Sequence, residues 1–180
     1  EDAQPYEHAA ALLEEAGNPL YLYARYHVAR LNFLLDDGVA LPNALIRVTD
    51  GRYRMLASWM HTLRAVALEQ SSRYLLAYPD YEEALRLGQH SATQKVVVLS
   101  RRSLNYTTMG SFEKGLSEAL AALELLPHVA DVRTRDTAYM SAADAATALK
   151  FRNIALLYRN AAVATSQKAL VNSVGRERED

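Results

Sequence analysis

The side chains that could do chemistry are few and scattered. The five histidines are His8, His27, His61, His90 and His128. No two of them stand four apart around a glutamate, the arrangement that holds a zinc ion on one helix face. His27 lies in a strongly apolar segment and reads as a core histidine, while His128 follows Pro127 and reads as a loop residue. Glu14-Glu15, Asp36-Asp37 and Glu82-Glu83 are adjacent carboxylates. Neighbours in sequence point apart on a helix, so these pairs read as solvated faces rather than acid/base couples. Cysteine is absent, which removes disulfides, thiolate metal sites and cysteine nucleophiles together. Neither a glycine-rich phosphate loop nor a strand-turn-helix serine elbow occurs. The expectation is a chain with no catalytic residues, no cofactor and no metal.

Tyrosine is the exception to this scarcity, with 11 copies. Tyr21, Tyr23 and Tyr26 crowd one segment, and Tyr53 and Trp59 follow. Two readings stand: an aromatic-lined pocket, or core filling with the hydroxyls at the surface. The second is favoured.

Composition bounds the rest. The 180 residues suffice for one compact domain or a short solenoid, and half are hydrophobic. Lys+Arg 20 against Asp+Glu 21 leaves a net charge of -1, so there is no global basic field for nucleic acid. No apolar run approaches the roughly 18 residues a membrane span requires. The absence of cysteine suits the bacterial periplasm, the favoured compartment, and the cytoplasm as well. The start at Glu1 and the charged end, Gly175 to Asp180, lead us to expect a segment of a larger protein, with 1-174 as one array and 175-180 as a charged tail.

The elements that would position any site are helices. Glycine and proline are few and fall where helices stop and start. Pro5 opens a first helix, Tyr6 to Ala16, closed by Gly17-Asn18. Pro19 begins a second, to about Asp36, that is apolar on two faces and so is packed between neighbours. A weak helix follows Pro42 to Val48. A long helix is expected from Arg52 to about Ala77, with a break near Gln70 to Ser72. Pro79 would stop it and Asp80 would cap the next, Tyr81 to about Ser91. Further helices are expected over Thr93 to Thr108, Phe112 to Leu126 with Ser111 as cap, Asp131 to Leu149 and Phe151 to Ser173. Val96 to Leu99 is β-branched, but nothing nearby offers it a hairpin partner, and it continues the helical face of Leu104.

Self-similarity runs through the second half. Gly110 to Pro127 resembles the second half of a tetratricopeptide repeat, with Phe112, Leu116, Ala119, Ala122 and Pro127 at the pattern's positions and Leu99, Ser103 and Tyr106 upstream. Gly115 departs from the alanine the family prefers, at an expected cost under about 1 kcal/mol. Asp80 to Leu85 resembles a second copy, with Leu68, Ser72 and Leu75 before it and Ser91 after. Phe151, Ile154, Tyr158 and Ala161 resemble a third, preceded by Ala138, Ala142 and Ala145. Small residues (Ser72, Ser103, Ala142) would let the helices of a hairpin approach. The anchors Tyr81, Phe112 and Phe151 are 31 and then 39 apart by subtraction.

The resemblance implies an all-α, right-handed superhelix of antiparallel hairpins, well marked over about 65-173. It also implies a concave groove lined by the first helix of each hairpin. Carried over, that groove holds Glu69 and Arg73, then Ser100, Leu104 and Thr108, then Asp136, Tyr139 and Ala143. The lysines and asparagines of the family's carboxylate clamp are missing, and Glu69 and Arg73 are spaced to pair with each other. The implied function is a non-catalytic binding module, resembling input regions of bacterial signalling proteins that precede a diguanylate cyclase or histidine kinase. A free-standing peptide-binding scaffold is the alternative, and an enzyme is the least favoured. The expected partner is a protein or peptide, with a small ligand and a homodimer as further options.

Overall fold

The computed structural model describes residues 3-18, 20-33 and 53-176. The described residues form eight α-helices and no strand: α1 Gln4–Glu15, α2 Tyr21–Phe33, α3 Arg54–Gln70, α4 Tyr74–Leu87, α5 Ala92–Thr108, α6 Phe112–Glu124, α7 Val132–Ala148 and α8 Arg152–Arg176. A short 3-10 turn, Leu126–His128, follows α6. The chain divides into two compact units, Glu1–Gly88 and Gln89–Asp180. In the first, α1 packs on α2, α2 on α3 and α3 on α4. In the second, α5 packs on α6 and α7, α6 on α7, and α7 on α8. The expected helix at Pro42 to Val48 and the carboxylates Asp36-Asp37 lie outside the described residues. So does the tail from 177 on, and its first two residues, Gly175 and Arg176, close α8 instead.

One turn joins the helices of every hairpin. Gly17, Ser72, Gly110 and Lys150 are all left-handed, with φ of 63, 58, 79 and 63°. The next amide donates five residues back in each case: Asn18 to Leu13 at 2.8 Å, Arg73 to Leu68 at 2.7 Å, Ser111 to Tyr106 at 2.8 Å and Phe151 to Ala146 at 2.8 Å. The left-handed residue's own amide donates three back, to Glu14, Glu69, Thr107 and Thr147. This is the Schellman closure, which uses up carbonyls that the helix end leaves without partners.

The turn fixes the register of the repeat, and it differs from the sequence reading. The left-handed residues are 55, 38 and 40 apart by subtraction. Tyr74, not Tyr81, therefore opens the second helix of its hairpin, as Phe112 does in the next. Pro79 does not end a helix but lies inside α4. Asp80 is no cap; it is buried in mid-helix. Ser72 is an exposed turn residue rather than a small packing residue. Ser91, expected near the end of the Tyr81 helix as the repeat's later small residue, is the cap of α5, its side chain accepting from the Gln94 amide at 3.2 Å. Ser111 stands at the cap position of α6 but makes no cap hydrogen bond. The Asp131 carboxylate caps α7 by accepting from Thr134 at 2.7 Å.

Counting from the turn explains the packing. Seven residues before it stand Ala10, Ala65, Ser103 and Ala143, all buried. Five after it stand Leu22, Ala77, Gly115 and Ala155, again buried. Twelve after it, Ala84, Ala122 and Ala162 are buried as well. Except at Leu22, the side chains at these points are small and bring the two backbones of a hairpin close. Gly115 marks a close approach to α5. A Cβ there would lie 3.0 Å from the Ser103 carbonyl and far inside van der Waals contact with Thr107 Oγ1. Alanine at 115 would gain helix propensity only against this overlap, so glycine suits the position.

Larger side chains fill the space between hairpins. In the first unit Leu22 and Met60 form the centre, with Tyr21, Leu56 and Leu63 against it. In the second, Val96, Ala122, Leu126, Val129 and Ala138 form it, with Leu99, Leu123 and Tyr139 packed on them. Val96 to Leu99 is helical, as its periodicity demands. His27 is not a core residue. It is half-buried, with the Tyr6 ring stacked on it at 4.9 Å between centroids and the Tyr23 ring edge-on at 4.4 Å. Tyr21 serves the core, whereas Tyr23 and Tyr53 are exposed.

Candidate functional site

The repeat register decides which side chains the first helices of successive hairpins present together. On α5, Val97, Arg101, Leu104 and Thr108 recur at helical spacing and form one stripe. Its equivalents on α7, 40 residues on, are Thr137, Ser141, Asp144 and Ala148. Because α5 and α7 pack side by side, the two stripes adjoin within the second unit. Arg101, Leu104, Thr108 and Thr137 are exposed, and Leu104 keeps 40% of its surface. The Thr108 hydroxyl donates to the Leu104 carbonyl at 2.9 Å. Among the described residues Arg101 has no ion-pair partner, and Asp144 has only Arg159 at 3.9 Å. The surface thus offers a free guanidinium beside an exposed leucine and two threonines.

The residues expected from the sequence are divided by this geometry. Leu104 and Thr108 lie on the stripe. Ser100 does not, being 2% exposed. Asp136, Tyr139 and Ala143 are one or two residues out of register with it and so lie on the neighbouring face, equivalent to Val96, Leu99 and Ser103. Ala143 is accordingly buried, Tyr139 packs on the core, and Asp136 is half-buried. Glu69 and Arg73 belong to the other unit. They do not form a helical pair, because α3 ends at Gln70 and Arg73 precedes α4. Arg101, Thr137 and Asp144 were missed. The signal that locates them is the left-handed turn residue, and at Ser72 and Lys150 no glycine announces it.

The buried charges hold hairpins together rather than form a reactive centre. Asp80 on α4 is 3% exposed and bridges two residues of α3. His61 Nδ1 stands 2.7 Å from Asp80 Oδ1, and since an ionised carboxylate only accepts, Nδ1 carries the proton. Arg64 donates from Nε to Oδ2 at 2.7 Å and from Nη2 to Oδ1. Burial works to raise the Asp80 pKa, but the hydrogen bonds from His61 and Arg64 outweigh it. The carboxyl sits below the ordinary aspartate range. The equivalent pair in the next hairpin is Arg102 with Glu118, also 16 residues apart. Among the described residues no three His, Asp or Glu side chains converge as metal ligands would.

The chain matches no protein-family profile and no curated protein. Two solved structures share its fold. One, a crystal structure of MamA, aligns over 93% of this chain and 88% of its own at a TM-score of 0.56 and 16% identity. A second MamA crystal structure aligns over 92% of this chain and 81% of its own at 0.54, again at 16% identity. MamA is a tetratricopeptide-like helical-repeat protein. The fold of this chain is therefore all-α and tetratricopeptide-like, built from antiparallel helix hairpins.

Proposed function

We propose that the chain is a non-catalytic tetratricopeptide-like module that binds a protein or peptide on the α5/α7 face. The single observation that carries this reading is the juxtaposition of an Arg101 without an ion-pair partner among the described residues and an exposed Leu104 on the α5 stripe that adjoins α7. The shared fold with MamA supports it only at the level of architecture. The chemistry favours a segment with an acidic side chain next to an apolar one: the carboxylate meets the guanidinium and the apolar group covers Leu104. Among the described residues no helix is long and apolar enough to cross a membrane. In the larger setting we read residues 1-174 as one array in an input region of a bacterial signalling protein. Binding would be passed on through α8, which packs on α7.

The test is fluorescence anisotropy with a labelled peptide panel of varied charge and hydropathy. Peptides with paired acidic and apolar residues should bind best. Arg101→Glu with Leu104→Arg should weaken them at least tenfold, about 1.4 kcal/mol, with helicity unchanged. Equal binding by wild type and variant would sink the assignment of this face.

A further inference from the structure

The second unit holds two consecutive hairpins in one register, so each side chain of α7, and of α8 as far as Ala164, has an equivalent 40 residues earlier. In the earlier hairpin Ser100, Leu116 and Leu123 are largely covered, and α7 packs on both of its helices. Their equivalents Met140, Leu156 and Val163 are 40, 58 and 55% exposed. The face that takes a helix in one hairpin is repeated on the next, more apolar and uncovered among the described residues. Its occupant should be a helix with the pattern of α7.

Helix α1 carries that pattern. Counted from Gly17 and Lys150, Tyr6 stands where α7 has Tyr139, Ala9 where it has Ala142 and Leu12 where it has Ala145. In α7 these residues are turned inward, with Tyr139 on the core and both alanines buried. In α1 Tyr6 and Leu12 are exposed, Leu12 at 54%. Charge agrees with shape. Between Arg152 and Arg176, α8 has Arg152, Arg159, Lys168 and Arg176 and no Asp or Glu. Over Gln4–Glu15, α1 has Glu7, Glu14 and Glu15 and no Lys or Arg, although Glu14 is already paired with Arg25.

We infer that copies of this chain associate head to tail, α1 of one copy lying on the bare α7/α8 face of another. The inference does not depend on the peptide-binding reading, which uses the α5/α7 stripe. Such an interface joins two different surfaces, so association continues beyond a dimer unless the rotation closes a ring. Sedimentation equilibrium over a concentration series at low salt tests it. The average mass should climb past the dimer and fall back as salt screens the charges. Leu156→Arg with Val163→Arg should give a monomer, and so should Glu7→Arg with Leu12→Arg. Circular dichroism should show both folded, because every changed position is exposed. Mixed together, the two variants each keep one intact surface and should form a one-to-one dimer that grows no further. A wild-type chain that remains monomeric overturns the inference. So does a mixture that stays monomeric, and so does an α1 variant that still assembles, which would mark a symmetric α8–α8 contact.

Discussion

The hairpins α3–α4 and α5–α6 are two versions of one design, displaced by 38 residues, and they resolve the same two problems differently. The close approach is made by Ala77 in one and Gly115 in the other. The cross-hairpin charge is a buried Asp80 held by two donors in one, and a Glu118 held by Arg102 in the other. The comparison teaches that the repeat constrains position and size more strongly than residue type. What each hairpin does with a shared position depends on how near the two backbones come.

The largest effect is expected at the close approach. Gly115→Val should destabilise the second unit by about 3 kcal/mol, because a branched side chain meets the Ser103 carbonyl, which cannot move without breaking α5. Gly115→Ala should cost less, with the overlap on Thr107 offsetting the roughly 1 kcal/mol that alanine gains in a helix. Thr107→Ala added to Gly115→Ala should restore much of the loss. Chemical denaturation of the three variants checks this. A Gly115→Ala protein more stable than wild type would show that the approach is looser than the backbone indicates. In the other hairpin Ala77→Gly should be destabilising, since the site is already wide enough for a methyl group.

The charges come second. Asp80→Ala should cost about 3 kcal/mol, because it leaves a largely buried His61 and the Arg64 head group without their acceptor. Glu118→Ala should cost about 1–2 kcal/mol. The pair is more open, with both side chains 17% exposed, and Arg102 Nε and Glu118 Oε2 already lack partners. The pH dependence follows from the lowered Asp80 pKa. A carboxyl with a folded value below its unfolded 3.8 binds protons less readily when folded. Its contribution is therefore complete above that value and is lost as pH falls through the lower, folded one. Acid titration of the melting temperature should show this low-pH limb in wild type and a shallower one in Asp80→Asn. Identical limbs would place the acid sensitivity elsewhere.

The same comparison shows what was legible in the sequence. Helix content, most boundaries after Ser91 and the resemblance itself were readable, because Phe112, Ala119 and Ala122 repeat a size pattern. The α3–α4 hairpin was misread because Pro79 looked like a terminator, yet α4 accommodates it. With that stop misplaced, Asp80 became a cap instead of a buried anchor. The residues expected in the groove fall on different faces for a related reason. Which positions are equivalent depends on turns whose left-handed residues are serine and lysine as well as glycine, and only the backbone reveals the equivalence.

That turn gives the smallest and most direct comparison. Ser72 and Gly110 occupy the same left-handed position with the same closing hydrogen bonds. A Cβ at 110 would meet nothing within 4 Å, so any penalty there is backbone strain and not crowding. For a side-chain-bearing residue that strain is roughly 1–2 kcal/mol. Gly110→Ala should therefore destabilise the second unit by about 1 kcal/mol. Ser72→Gly should relieve the same strain in the first, less the entropy that glycine adds to the unfolded chain, for a net gain of about 0.5 kcal/mol. Denaturation midpoints read for each unit separately would settle the pair. Opposite signs confirm that one turn serves both hairpins. Two destabilising substitutions would mean that the Ser72 side chain contributes a stabilising contact that Gly110 does without.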